Sequence, residues 1–195
     1  MQHRISFLFL FLSFAYTGMV SAQEGNYTID KDAPFEFYVS GSSTLHDWKA
    51  TVGTVTDYPA TLKVGKDAVE GFAFKADVAS MDGGRGSAMN NKIYKALKSE
   101  THPQITFEQK TAAAIKALPG GQFKLTSTGI LSIGGVEKTV SVEVMGTKKD
   151  GKLVFQGSKP LKLSEFEIEP PSAMFGQIQT HDDVTVHFTF NYLAQ

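Results

Sequence analysis

Val184-Thr185-Val186-His187-Phe188-Thr189-Phe190-Asn191-Tyr192 decides the fold class, because apolar and polar residues alternate along it without a break. Alternation with a period of two is typical of a β-strand that has one buried face and one solvated face. Strands of a parallel sheet are buried on both faces and read as continuous apolar runs instead. The stretch therefore predicts an antiparallel sheet.

Shorter segments with the same alternation recur along the chain. They span residues 35–40, 48–52, 60–64, 71–78, 105–109, 123–133, 140–144 and 161–166. An antiparallel sandwich or barrel fits this pattern, and the short turns together with the need to protect sheet edges favour a barrel. The sequence predicts an all-β fold of about eight strands, a size at which a barrel is either filled by side chains or encloses one small ligand.

One short helix interrupts the strands. Met89, Ile93 and Leu97 recur at helical spacing after a glycine-rich loop at 82–86. Pro103 ends the helix, because the residue before a proline is disfavoured in the helical conformation. The glycine loop lacks the spacing of a nucleotide-binding motif, so we interpret it as a turn.

The N-terminal residues have the pattern of a secretory signal. A short basic head is followed by an apolar run from Ile5 to about Val20, and small residues follow at Ser21 and Ala22. We predict a signal peptide at 1–22 and one barrel domain at 23–195, located in the periplasm or secreted. No later stretch is apolar enough to span a membrane, so no stable membrane anchor is expected.

Composition narrows the classes of function. The formal net charge is -1, which argues against a nucleic-acid partner, since such partners recruit clustered Lys and Arg. The chain contains no cysteine, which excludes disulfides, thiol catalysis and thiolate metal ligands. Charge and cysteine content do not indicate an oligomeric state.

The fifteen phenylalanines are the most unusual feature of the composition. Large apolar rings on the inner faces of the strands either fill a barrel or line a space for an apolar ligand. The predicted ligand-binding set combines inward strand positions with the apolar side of the helix. It consists of Phe35, Phe37, Trp48, Phe72, Phe74, Ile93, Leu97, Phe107, Leu131, Phe188 and Phe190.

A hydroxyl, an imidazole and a carboxylate occur together in the turn Ser42-Ser43-Thr44-Leu45-His46-Asp47-Trp48. A hydrolytic interpretation would use Ser43 or Thr44 as nucleophile, His46 as base and Asp47 as the residue that orients it. Neighbours on an extended chain point to opposite faces, which disfavours this triad. We therefore predict no catalytic residues, and expect Asp47 to accept hydrogen bonds from nearby backbone N–H groups.

A metal site is a further alternative. The imidazole and carboxylate groups that might form one are those of His46, Asp47, His181, Asp182, Asp183 and His187. Their spacing matches no recognised ligand pattern. The sequence therefore predicts no metal site and no cofactor.

Four segments resemble the YceI-like family of exported bacterial proteins. They are the segment 41–48, the segment 78–82 with its glycine loop and Arg85, the segment 96–107, and the segment 129–140. Their order and spacing extend over essentially all of 23–195. The loop departs from the family pattern at Gly86, which follows Arg85 where family members usually have an aspartate.

The resemblance implies a lipocalin-like antiparallel barrel. It also implies an apolar interior that binds or transports a long-chain isoprenoid lipid or a quinone. Two alternatives stay open at this point: a metal-dependent or hydrolytic enzyme centred on His46 and Asp47, and a packed scaffold that binds no ligand.

Overall fold

The structure is a computed structural model that describes residues 24–30, 32–56, 61–149 and 151–195. The predicted signal peptide at 1–22 and the first residue of the strand predicted at 60–64 lie outside the described residues. The described residues are mainly β-structure with one α-helix, which confirms the predicted fold class.

The strands belong to one antiparallel sheet of 16 strands. They are β1 (Gly25–Ile29), β2 (Glu36–Ser43), β3 (Asp47–Val52), β4 (Val55–Thr56), β5 (Leu62–Val64), β6 (Ala68–Glu70), β7 (Ala73–Asp77), β8 (Met81–Asp82), β9 (Gln104–Gln109), β10 (Ala113–Ala114), β11 (Lys116–Ala117), β12 (Gln122–Ile133), β13 (Val136–Lys149), β14 (Lys152–Lys162), β15 (Ser172–Ala173) and β16 (Ile178–Ala194). The helix α1 spans Ser87–Ala96, and single 3-10 turns span Val78–Ser80, Pro119–Gly121 and Leu163–Phe166.

Four long strands, β12, β13, β14 and β16, run the full height of the barrel as antiparallel neighbours. The rest of the wall is divided between two shorter sets of strands. In the upper part, β16 pairs with β2 and β2 with β3, while β12 pairs with β9 and β9 with β7. The circuit closes because β3 pairs with β8 and β4 pairs with β7.

The lower part closes in the same way around the other end of the long strands. There β16 pairs with β1, β1 with β5, β5 with β6 and β6 with β10, and β11 then pairs with β12. Between β10 and β11, the Ile115 N–H donates to the Asp67 carbonyl oxygen at 2.8 Å, which keeps this edge joined to the loop before β6.

The predicted number of about eight strands is therefore too low. In the upper part, β3 and β4 share one position in the wall, and β7 and β8 share another, because a short break at 53–54 and the 3-10 turn Val78–Ser80 divide two longer strands. The lower set adds the remaining short strands. Alternation detects long strands, whereas segments of two or three residues are too short to show a period.

The lower part is packed with side chains. Its core consists of Tyr27, Leu62, Val64, Val69, Ala113, Phe123, Leu125, Val144, Leu153, Phe155 and Tyr192, all of which are buried. The ring centres of Phe155 and Tyr192 are 5.4 Å apart, and those of Phe123 and Phe155 are 6.0 Å apart. Such edge-to-face contacts explain how this end uses several of the large rings.

Candidate functional site: an apolar cavity in the upper part

A cavity of about 370 Å³ lies inside the upper part of the barrel. Its wall is made almost entirely of aliphatic and aromatic side chains from the strands, from α1 and from the segment that follows β14. The apolar lining consists of Phe37, Val39, Leu45, Trp48, Ala50, Val52, Phe74, Met81, Met89, Ile93, Ala96, Leu97, Ile105, Phe107, Leu131, Ile133, Val140, Val142, Leu161, Leu163, Phe166, Ile168, Pro171, Ile178, Val184, Val186 and Phe188. The volume is in the range of small-molecule sites.

The floor of the cavity is a set of touching phenylalanine rings. Phe37 meets Phe74 edge to face with ring centres 5.2 Å apart, and Phe74 stacks on Phe107 at 5.9 Å. Beneath them, Phe72 contacts Phe107 at 5.7 Å and Phe155 at 5.7 Å. The rings thus separate the cavity from the packed lower part, so that the barrel is filled at one end and hollow at the other.

The pairing of β14, β16, β2 and β3 arranges inner-face residues in rows across the wall. The row nearest the β2–β3 turn, which we call the mouth row, consists of Leu161, Val184, Gly41 and Trp48. The next, the middle row, consists of Lys159, Val186, Val39 and Ala50. The third, the floor row, consists of Gly157, Phe188 and Phe37. Successive rows are two residues apart along each strand, as expected for side chains on one face of a sheet.

Two glycines in these rows make room for aromatic rings. A methyl group at Gly41 would collide with the indole ring of Trp48. A methyl group at Gly157 would lie 2.5 Å from the Phe188 ring and 2.7 Å from the carbonyl oxygen of Glu143. Both rings therefore pack against bare backbone, and neither glycine tolerates a larger residue without a shift of its neighbours.

The helix α1 lies across one side of the cavity. It begins directly after Gly86, whose φ of 78° is readily available to glycine. The Tyr94 hydroxyl is 2.9 Å from the carbonyl oxygens of Ala79 and Met81, which ties the helix to the 3-10 turn and to β8. Ile93 and Leu97 then face the cavity.

Most of the predicted ligand-binding residues lie on this wall. They are Phe37, Trp48, Phe74, Ile93, Leu97, Phe107, Leu131 and Phe188. Phe72 and Phe190 do not line the cavity, because they are buried among the rings beneath the floor. The contact of these residues with a ligand remains a prediction.

Phe35 is an error in the predicted inward set. Its side chain is 37% exposed, and the residue lies outside the cavity lining. The cause is the position of the strand end: β2 begins at Glu36, which pairs with Thr189, and Phe35 precedes the last paired residue. Alternation assigned Phe35 to the face of Phe37, but it has no neighbouring strand to cover it.

The turn between β2 and β3 is organised by Ser43. Its hydroxyl donates to the His46 carbonyl oxygen at 2.8 Å and accepts the N–H groups of Leu45 at 3.3 Å and His46 at 3.2 Å. The expectation that Asp47 fills this role is wrong, because Asp47 is exposed and pairs with Ser42 only through the backbone ladder. The Trp48 Nε1–H donates to the Ser42 carbonyl oxygen at 3.1 Å, and this hydrogen bond fixes the indole ring against β2.

The same hydrogen bonds separate the groups of the hydrolytic interpretation. Ser43 contacts the main chain of His46, not its ring. The His46 Nδ1 lies 2.8 Å from the Asp47 carbonyl oxygen, which can only accept, so the ring proton is on Nδ1 and the Asp47 carboxylate does not orient it. These residues do not form the serine, histidine and aspartate relay of a hydrolase.

The candidate metal ligands are also held apart. His181 Nδ1 is 2.9 Å from the Ser42 Oγ, and His187 Nε2 is 3.0 Å from the Ser40 Oγ. Asp182 accepts hydrogen bonds from Ser164, whose hydroxyl and N–H lower the pKa of the Asp182 carboxyl. Within the described ranges, no three His, Asp or Glu side chains are close enough to hold a metal ion.

Asp183 forms an ion pair with Lys162 at 3.0 Å on the outer surface. The hydrogen bond to Asp183 and its negative charge raise the pKa of the Lys162 ammonium. This pair belongs to a polar groove on the outside of the barrel, which Ser40, Ser42 and Thr185 also line.

The charged residues around the cavity are all cationic. They are Lys49, Arg85, Lys92, Lys159 and Lys162, and no aspartate or glutamate is among the lining residues of the described chain. Sequence reasoning missed Lys159, although a signal was present. Leu153, Phe155, Gly157 and Leu161 alternate along β14, and Lys159 occupies the same inner face.

Among the described residues, no helix is long and apolar enough to cross a membrane.

The fold and the cavity define a lipocalin-like class of protein, an antiparallel barrel with an apolar interior. The YceI-like domain family matches residues 4–192, and the chain belongs to this family. Comparison with curated proteins gives no match.

Three solved structures are similar to the chain. The polyisoprenoid binding domain from Saccharophagus degradans implicated in plant cell wall breakdown has a TM-score of 0.64 at 14% identity, over 88% of this chain and 99% of that one. Burkholderia cenocepacia BcnA has a TM-score of 0.62 at 21% identity, over 80% and 95%. The Campylobacter jejuni YCEI protein has a TM-score of 0.55 at 18% identity, over 73% and 82%. At these identities the likeness shows a shared fold.

Proposed function

We propose that the barrel binds a long-chain isoprenoid lipid or quinone in the upper cavity and acts as a binding or carrier protein, without catalysing a reaction. The observation that carries this proposal is the cavity of about 370 Å³, with its floor of phenylalanine rings. An isoprenoid is a chain of branched apolar units, and each Å² of apolar surface removed from water contributes roughly 25 cal/mol.

Two further observations support this function. The polyisoprenoid binding domain from Saccharophagus degradans has the same fold. Most of the wall consists of aliphatic side chains, and it also contains the flexible side chains of Met81 and Met89. Such a lining suits an apolar chain that makes no fixed polar contacts along its length. For the cellular location we propose the periplasm or the exterior, on the basis of the signal pattern at 1–22.

The direct test is to purify the protein from its native host, extract it with organic solvent and identify the co-purifying lipid by mass spectrometry. We expect an isoprenoid at a constant molar ratio to the protein. A reproducible absence of lipid, together with no binding of added isoprenoids, would contradict the proposal.

A pair of variants locates the lipid in the cavity. Val186→Trp places an indole in the middle row, and Thr185→Trp places one on the outer face next to it. We expect the Val186→Trp protein to lose the lipid and the Thr185→Trp protein to retain it, with both folded by circular dichroism. Retention in both variants would place the lipid elsewhere.

A further inference from the structure

Lys159 is a cation on the inner face of an apolar barrel. On β14 it follows Phe155 and Gly157 at intervals of two residues and precedes Leu161, and all of these face inward. Its outward neighbours Ser158 and Pro160 lie on the opposite face. Because side chains alternate between the two faces of a strand, Lys159 belongs to the inner face of the barrel wall.

The strand register fixes the depth of Lys159. It pairs with Val186, which pairs with Val39, and Val39 pairs with Ala50, so the lysine is a member of the middle row. The mouth row of Leu161, Val184, Gly41 and Trp48 lies between it and the β2–β3 turn. Its backbone is thus one row below the mouth, and its long side chain lies within the lining of the cavity.

Lys159 has no counterion in the described part of the chain. Ion pairs there include those of Lys110, Lys124, Lys152 and Lys162 but none of Lys159, and no carboxylate is in the described cavity lining. The other cavity cations have different surroundings. The Lys162 ammonium pairs with Asp183, and the Lys49 ammonium lies 3.8 Å from the centre of the Tyr38 ring.

Arg85 and Lys92 complete the cationic set. Both are exposed, one in the glycine loop and one on α1, and both line the edge of the cavity. Positive charge at an entrance whose described lining contains no carboxylate attracts anions and repels cations. Arg85 and Lys92 at the edge of the cavity and Lys159 inside it therefore all favour an anionic ligand.

A cation beside apolar side chains loses hydration, and this cost is offset when an anion or a hydrogen-bond acceptor pairs with it. We propose that the ligand is an isoprenoid with an anionic head group such as a phosphate, and that the head group pairs with the Lys159 ammonium while the chain lies on the phenylalanine floor. This inference rests on the proposed lipid-binding function and specifies its substrate class.

The test compares two ligands that differ only in the head group. Binding of geranylgeranyl phosphate and of geranylgeraniol is measured by titration of the intrinsic Trp48 fluorescence, on the delipidated full chain at fixed ionic strength. We expect the unmodified protein to bind the phosphate at least about tenfold more tightly than the alcohol, as charge-assisted hydrogen bonds are stronger than neutral ones.

Three variants assign the preference to one residue. Lys159→Met keeps the length and apolar stem of the side chain, and we expect it to abolish the preference for phosphate while leaving the affinity for the alcohol within about twofold. Lys159→Arg should retain the preference, because it retains the charge. Lys162→Met removes a cation that is paired with Asp183 on the outer surface, and the preference should persist.

Each contrary result has a distinct meaning. If Lys159→Met still prefers the phosphate, another cation of the cavity lining binds the head group and the inference is overturned. If Lys159→Met loses both ligands together, Lys159 serves the fold instead of the head group, and the inference is again overturned. If the unmodified protein binds the alcohol but has no preference, only this inference fails. If it binds neither ligand, the proposed function fails with it.

Discussion

The indole ring of Trp48 packs against the backbone of Gly41, its cross-strand partner in the mouth row. The Trp48 Nε1–H donates to the Ser42 carbonyl oxygen at 3.1 Å, one residue beyond that contact. Position and orientation of the ring therefore depend on the absence of a side chain at residue 41. This relationship connects the β2–β3 turn to the shape of the cavity entrance.

Gly41→Ala should destabilise the protein by about 1–3 kcal/mol, because a methyl group must displace the indole ring. The measurement is the free energy of unfolding in urea. Gly25→Ala is a suitable control, since its new methyl group meets only Tyr27 at an ordinary 3.9 Å. Equal stability of the two variants would mean that the Trp48 ring relaxes freely and does not depend on Gly41.

Ser43→Ala should cost about 1–2 kcal/mol of unfolding free energy, since three hydrogen bonds to the β2–β3 turn are lost with the hydroxyl. His46→Ala removes one exposed hydrogen bond to the Asp47 carbonyl oxygen, and its cost should be less than about 0.5 kcal/mol. Urea unfolding of both variants measures the difference. A larger loss for His46→Ala would indicate a role for the imidazole that the turn geometry does not contain.

The sequence was sufficient for the fold class and for the face of most residues. Alternation along 184–192 assigns Val184, Val186, Phe188 and Phe190 to one side, and the structure places all of them inside the barrel. The ends of strands were not predictable in the same way. Phe35 has the right parity for the inner face, but pairing to β16 stops at Glu36, and this stop depends on tertiary structure.

The division of the barrel into a packed end and a hollow end could not be predicted from the sequence either. It arises from pairings between distant residues, such as that of Lys159 with Val186 and that of Phe123 with Gly146. The alternation of residues along β14 is enough to assign Lys159 to its inner face. Its depth follows only from the register of four strands, and the lack of a carboxylate in the described cavity lining is visible only in the folded structure.

Phe72→Ala should destabilise the protein by about 3–5 kcal/mol, since the ring is only 1% exposed and contacts the rings of Phe107, Phe155 and Phe188. Phe35→Ala is the matched control from the same predicted set. Its side chain is 37% exposed, so its cost should be below about 1 kcal/mol. Urea unfolding distinguishes them, and a large cost at Phe35 would contradict its position at the end of β2.

Asp182 fixes the 3-10 turn Leu163–Phe166 at the edge of the cavity. Its carboxylate accepts the Ser164 hydroxyl at 2.6 Å and the Ser164 N–H at 2.7 Å, and these hydrogen bonds hold the pKa of the carboxyl below its ordinary value of 3.8. A carboxyl whose pKa is lowered by folding adds stability above its unfolded pKa, and this stability is lost as the pH falls through the folded pKa.

Asp182→Asn should therefore lower the urea midpoint at about pH 7, and its difference from the unmodified protein should shrink as the pH falls below about 4. Asp47→Asn is the control, because its exposed carboxylate has no side-chain hydrogen bond in the described chain, and its midpoint at about pH 7 should match that of the unmodified protein. The turn carries Phe166, which is 1% exposed and lines the cavity. An Asp182→Asn difference that stayed constant with pH would mean that shape, and not charge, accounts for the contribution of this residue.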